Sequence, residues 1–201
     1  MEFSNKKKIY ILKNRLGSSS MYEPNPEFFD LHKIKKKNYQ DYDVTKKIEV
    51  HCETLNDSLS KLQVNQLDYL KIDTQGAELE ILKGIGVYRP LLIKIEAQIF
   101  SMYKEVPSWN RLLDCLYKLN YIVVDWKAIG SHATRTPAEM DMIFIPNFNN
   151  SEGRNLITSN EDRFVSLMLI FGQINLLKII SKKYNFSSSD EINKFEDRFF
   201  N

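Results

Sequence analysis

Short runs of β-branched and aromatic residues recur along the chain, and most are followed by a turn signal or by apolar residues at helical spacing. Lys8-Ile-Tyr-Ile-Leu12 is the first run. Leu16-Gly17-Ser18-Ser19-Ser20 and Glu23-Pro24-Asn25-Pro26 break it, as Gly, Ser and Pro do. Ile48-Glu-Val-His-Cys52 alternates like a half-buried strand. Thr54 is placed to cap a short helix carrying Leu55, Leu59 and Leu62. Asp68-Tyr-Leu-Lys-Ile-Asp73 reads as a strand, Thr74-Gln75-Gly76 as a turn, and Ala77–Lys83 as a helix stopped at Gly84. Leu91–Glu96 is the next strand. Ser108 caps a helix holding Leu112, Leu113, Leu116 and Leu119, and the strands Tyr121–Trp126 and Met140–Ile145 follow, the latter closed by Pro146.

Strands alternating with helices imply parallel pairs joined by right-handed crossovers. The last link, Lys127–Glu139, shows no helical pattern, contains Gly130 and Pro137, and suits an antiparallel return. The expectation is an α/β fold with an open, mostly parallel sheet and one reversed edge strand, spanning residues 1–146. Residues 147–201 read as a linker and helical tail. There, Ser159-Asn-Glu-Asp162 resembles a capping box ahead of one helix over Phe164–Ile180. Ser187-Ser188-Ser189 precedes a last charged helix with Ile192, Phe195 and Phe199 on one face.

Composition narrows the classes. The 201 residues are 43% hydrophobic and 27% charged, an ordinary globular balance that argues against wholesale disorder. A net charge of +2 gives no global electrostatic case for nucleic acid or an anionic membrane. Lys33–Lys37, with four lysines around Ile34, reads as a solvated face, since no aromatic stacking pattern accompanies it. No secretory leader is visible, and the apolar Phe164–Ile180 stretch is too interrupted to span a bilayer. Cys52 and Cys115 are too few for a disulfide scaffold and read as reduced thiols of a cytoplasmic protein.

The chemistry-bearing stretch is Asp68–Glu80, DYLKIDTQGAELE. It delivers Asp73 at the carboxyl end of a buried strand and turns through Gln75-Gly76 directly into a helix. Ligands of open α/β sheets sit at such ends. Leu91–Glu96 repeats the arrangement and delivers Glu96. If the two strands are neighbours, about 4.8 Å apart, the carboxylates face one crevice and share a ligand, a proton or a metal. The alternative is that each caps a helix or meets a surface cation.

These residues resemble the FkbM-type methyltransferase family, which uses S-adenosylmethionine. The resemblance rests on Thr54-Leu55, on DYLKIDTQGAELEILKG (Asp68–Gly84), on IKIEAQ (Ile93–Gln98), on Tyr103, on Asn120-Tyr121 and on DMIFI (Asp141–Ile145), with Ser18–Ser20 and Glu23-Pro24-Asn25 upstream in the family's style. It implies a Rossmann-like sheet, S-adenosylmethionine as cofactor and a small-molecule acceptor. The family's glycine-rich loop and the acidic residue after it are absent here: Gly84-Ile-Gly86 is the one close glycine pair, and Arg89 stands where a third glycine would be. The sheet is therefore expected to be N-terminally incomplete, with another copy or a complementing chain covering the bare strand edge.

The resemblance implies a methyl transfer to oxygen of a sugar or other small metabolite, in which a hydroxyl acceptor needs a base, with Asp73, Glu96 and Tyr103 as the catalytic set and Asp73, Gln75 and Gly76 as the cofactor-binding set. Asp73 is expected near the cofactor, Glu96 near the acceptor oxygen, and Tyr103 along the acceptor pocket. No metal is expected. His32 and His51 follow no ligand spacing, and His132 near the last strand lacks further ligands. The reading of a different class is a cofactor-less interaction module, suggested by the missing glycine loop and the apolar tail.

Overall fold

The structure is a computed structural model and describes residues 6–31, 36–129, 138–189, 192 and 194. His32, Lys33, Ile34, Lys35, Gly130, His132, Pro137, Phe195 and Phe199 lie outside the described residues. Strand β1 (Lys6–Leu12) and strand β2 (Val44–His51) form an antiparallel ribbon with Ile9 opposite Ile48. Helix α1 (Pro26–Leu31) lies between them in sequence and buries Phe28 and Phe29.

Helix α2 (Leu55–Lys61) starts as predicted, the Thr54 hydroxyl accepting a hydrogen bond from the Asp57 N–H at 3.1 Å. Strand β3 (Tyr69–Ile72), helix α3 (Glu78–Lys83) and strand β4 (Leu92–Gln98) make a β-α-β unit whose strands pair in parallel. Helix α4 (Trp109–Lys118), strand β5 (Tyr121–Ile129) and strand β6 (Glu139–Pro146) complete a four-stranded sheet of order β3-β4-β6-β5. Ser108 occupies the first position before α4 without a side-chain capping bond.

The sheet corrects the sequence-based expectation of a mostly parallel sheet with a reversed edge. β3, β4 and β5 point one way, but the reversed strand β6 sits inside, antiparallel to both β4 and β5. The burial pattern follows this order. β6 is buried through Phe144, Ile145 and Pro146, whereas β5 exposes Trp126 and its neighbours. The edge strand β5 leaves Asp125, Trp126, Lys127 and Ala128 exposed, as an edge position allows.

Two apolar layers sandwich this sheet. On one face Ile72, Ile93, Ile95, Met142 and Phe144 meet Leu79, Leu82, Leu112 and Leu116 of α3 and α4. On the other, Leu92 and Ile145 meet the tail: helix α5 (Ser151–Thr158), helix α6 (Glu161–Ile170) and helix α7 (Ile174–Tyr184) supply Ile157, Phe164, Met168, Leu177 and Ile180. Side chains buried this completely stabilise the fold by about 1.5–3 kcal/mol each.

The single helix expected over Phe164–Ile180 is divided. Gly172 adopts φ +69, and the Gln173 amide donates to the Asp125 carboxylate of β5 at 3.0 Å, so α6 ends and α7 restarts. The expected capping box does not form either. Asn160 precedes α6 without a side-chain cap, and Glu161 instead accepts hydrogen bonds from the Ser188 N–H at 2.9 Å and the Ser187 hydroxyl at 2.8 Å. Among the described residues no helix is long and apolar enough to cross a membrane.

Candidate active site

The turn after β3 is built by one buried carboxylate. Glu78, 6% exposed, accepts hydrogen bonds through Oε1 from the Thr74 N–H at 3.1 Å, the Thr74 hydroxyl at 3.2 Å and the Gly76 N–H at 3.0 Å. Gln75 and Gly76 both take positive φ, +57 and +109. A Cβ on Gly76 would stand 2.9 Å from Val106 Cγ2 and 3.2 Å from Tyr22 Cδ2, so the position requires glycine. From the other side, the Ser20 hydroxyl donates to the Gln75 carbonyl at 2.5 Å. The Tyr103 hydroxyl faces Ser18 O at 2.7 Å and Gln75 Oε1 at 2.9 Å.

This turn fixes Asp73. Its carboxylate accepts from Lys71 Nζ at 2.9 Å and from Gln75 Nε2 at 3.2 Å. Ile72 pairs with Ile95, so the next positions, Asp73 and Glu96, are neighbours at the carboxyl ends of two parallel strands. Glu96 faces Asp141 across the β4–β6 pair, and Lys94 Nζ holds Asp141 at 2.9 Å. Burial first, then the charges of Asp73, Asp141 and Glu78, push the Glu96 carboxyl above its usual range, with Lys71 opposing. Glu139, at the start of β6, is pushed up to about 7, by burial first and then by Glu96, Asp73 and Glu78. The upper half of this sheet face is therefore a half-buried carboxylate field, and the tail helices cover its lower half.

The residues expected from sequence divide into two groups. Asp73 and Glu96 come together on one face. Gln75, Gly76 and Tyr103 are engaged in holding the turn: the Gly76 N–H is taken by Glu78, and Tyr103 is 1% exposed, a buried clamp rather than a pocket wall. The glycine pair Gly84–Gly86 packs on α2, where the Asn56 N–H donates to Gly84 O at 2.9 Å. Lys71, Glu78, Glu139 and Asp141 were not singled out from sequence. Lys71 is two residues before Asp73 and Asp141 is a lone charge inside an apolar strand, patterns that place both on the face of Asp73 and Glu96.

A groove of about 1300 Å³ opens between the β1–β2 ribbon and helices α2 and α3. Ile9, Ser20, Thr54, Thr74, Glu80 and Ile81 are among its walls. It meets the carboxylate face only through the turn, at Thr74, and neither Asp73 nor Glu96 lines it. The larger space and the chemistry are thus side by side rather than coincident. Among the described residues no group of three His, Cys, Asp or Glu side chains is arranged to hold a metal ion.

The model of the Methyltransferase FkbM domain matches residues 4–123, more than half of the chain. The chain belongs to this family, whose members are methyltransferases in general. The match takes in Asp73, Gln75, Gly76, Glu96 and Tyr103 and ends before β6 and the tail. No curated protein and no solved structure matches the chain.

Proposed function

We propose that the chain is part of an S-adenosylmethionine-dependent methyltransferase acting on a hydroxyl oxygen of a sugar or other small metabolite. The observation that carries this reading is the placement of Asp73 and Glu96 side by side at the carboxyl ends of β3 and β4, within a chain of this family. We read the four-stranded sheet as one portion of a Rossmann-like methyltransferase sheet, working in the cytoplasm.

The carboxylate face suits the cationic end of such a cofactor, which when bound supplies a methyl carbon on a positively charged sulfur. Asp73, bonded to Lys71 and Gln75 at the strand end, offers its carboxylate to that cation. Glu96, partly withdrawn from water, accepts the proton of the acceptor hydroxyl as its oxygen becomes nucleophilic. Gln75, Gly76 and Tyr103 act by position: they fix the turn, and orientation is the main demand of a direct displacement. The Gly76 N–H is bonded to Glu78 and so is not free for the amino-acid end.

A second reading is favoured by the sheet order. β3 ends the sheet among the described residues, so a complementing chain pairing along it would sit next to Asp73. Calorimetric titration with S-adenosylmethionine tests the first reading. Wild type is expected to bind and Asp73→Asn to bind roughly tenfold more weakly, the equivalent of about 1.4 kcal/mol. Absence of heat with both proteins would reject cofactor binding by this chain.

A further inference from the structure

Strand β5 ends the four-stranded sheet and, among the described residues, pairs only with β6. At nine residues it is the longest strand of that sheet. Trp126 is 62% exposed, and Asp125, Lys127 and Ala128 are exposed beside it. A long edge strand that exposes an aromatic side chain is a template for pairing with another strand.

Register decides which backbone groups are free. Antiparallel neighbours exchange hydrogen bonds at every second pair. The Asn147 N–H donates to the Asn120 carbonyl at 2.7 Å, one step beyond the Tyr121–Pro146 pair, and the Ile99 N–H donates to the Ala138 carbonyl at 2.9 Å on the β4 side. Odd-numbered residues of β6 therefore serve β5, and even-numbered ones serve β4. Asp125, Lys127 and Ile129, opposite Ile143, Asp141 and Glu139, bond inward. Trp126 and Ala128 turn their N–H and C=O groups outward, where no described strand meets them.

Two opposite charges flank this free position. Asp125 and Lys127 stand on either side of Trp126 and share the sheet face of Asp141. Neither forms an ion pair with another described residue, and Asp125 accepts only from the Gln173 amide, at 3.0 Å.

We propose that two copies of this chain join through β5, the two strands pairing antiparallel about a two-fold axis at Trp126. In this register Trp126 of one protomer bonds Trp126 of the other, and Asp125 of each stands opposite Lys127 of the other. Charge selects it. Outward groups keep meeting outward groups only if one strand slides by two residues at a time. A slide of two in one direction sets the two Asp125 carboxylates face to face, and in the other direction the two Lys127 ammonium groups. Larger slides leave both charges without a partner. Opposite charges directly across a strand pair stabilise it, and like charges destabilise it.

The contact is isologous, so it closes at two copies and uses up the β5 edge of each. The product is one eight-stranded sheet, running β3-β4-β6-β5 in one protomer and then β5-β6-β4-β3 in the other. Each Asp73–Glu96 face lies toward an outer end of that sheet. None of this requires a bound methyl donor.

The test is sedimentation equilibrium of the whole chain in wild type, Lys127→Asp, Asp125→Lys and the double swap. Wild type is expected to sediment at twice the chain mass. Each single swap sets two like-charged pairs across the junction and is expected to raise the dissociation constant of the dimer roughly tenfold or more. Lys127→Asp leaves the Gln173–Asp125 bond in place, so it reads the junction alone. The double swap restores opposite charges at both pairs and is expected to return the constant to near the wild-type value, a recovery that a merely unfolded variant would not give. A wild type that stays monomeric at a concentration on the order of 100 µM, a dimer indifferent to both single swaps, or losses that the double swap leaves unrepaired would overturn it.

Discussion

The Tyr103 hydroxyl lies 2.9 Å from the side-chain oxygen of Gln75 and 2.7 Å from the carbonyl of Ser18, tying the β3–α3 turn to the loop after β1. Twenty-eight residues separate Tyr103 from Gln75 and eighty-five from Ser18, so one phenol fastens three distant segments. Tyr103→Phe keeps the ring in its buried site and leaves those acceptors unpaired. The expected cost is about 1–3 kcal/mol, read as a lower urea midpoint with an unchanged slope. A midpoint equal to wild type would remove the clamp role.

Gly76 tests the turn itself. With φ +109 and Val106 Cγ2 2.9 Å from where a Cβ would stand, Gly76→Ala combines backbone strain with a steric contact. Strain of this kind costs on the order of 1–3 kcal/mol. The melting temperature is expected to fall by several degrees, and cofactor binding with it, because Asp73 moves with the turn. An alanine variant as stable as wild type would show that the turn relaxes freely.

Gly153 makes a parallel case in the tail. A Cβ there would stand 2.2 Å from the Asn147 carbonyl oxygen, while the Gly153 N–H donates to Asn150 Oδ1 at 2.8 Å and starts α5. Gly153→Ala is expected to destabilise the whole sheet by about 1–3 kcal/mol, since α5 belongs to the layer that covers Leu92 and Ile145. Loss of only the tail's protection in hydrogen exchange, with the sheet unchanged, would show instead that the tail is an independent unit.

Stability should fall as pH rises from about 4.5 to about 7. Glu139 has its native carboxyl pushed up to about 7, above the value of 4.5 for an unperturbed glutamate, and Glu96 is shifted the same way. In that window the native state holds protons that the unfolded chain has released, so each increment of pH favours unfolding. The contribution is fully present below the unfolded value and gone above the folded one. Urea midpoints across this range are expected to decline in wild type and to flatten in Glu139→Gln. A wild-type midpoint rising steadily from pH 4.5 to 7 would contradict the shift.

Much of the fold was legible because each strand carried its own punctuation. The six strands and the helices carrying Leu59, Leu79 and Leu112 follow from alternation, capping and apolar spacing. What local pattern does not carry is strand order. Nothing near Met140–Ile145 says that it inserts between Leu92–Gln98 and Tyr121–Ile129. The break at Gly172 was hidden for a related reason: the apolar spacing continues through it, and only the approach to Asp125 shows why the chain turns. At the site, Asp73 and Glu96 stood out because carboxylates ending apolar strands are hard to explain by packing. Glu78 did not, since its three hydrogen bonds depend on a turn conformation that sequence does not display. Tyr103 had an apparent pocket role because its hydroxyl's partners are remote in sequence.

The central claim is that the Asp73–Glu96 face receives the cationic centre of the methyl donor. Paired calorimetric titrations with S-adenosylmethionine, which carries the positive sulfur, and S-adenosylhomocysteine, which does not, test it directly in wild type and Asp73→Asn. Removing a charge near that centre costs only the cationic ligand, so the ratio of the two affinities is expected to shift by roughly tenfold against S-adenosylmethionine in the variant, about 1.4 kcal/mol. A ratio that stays the same in both proteins would contradict the account.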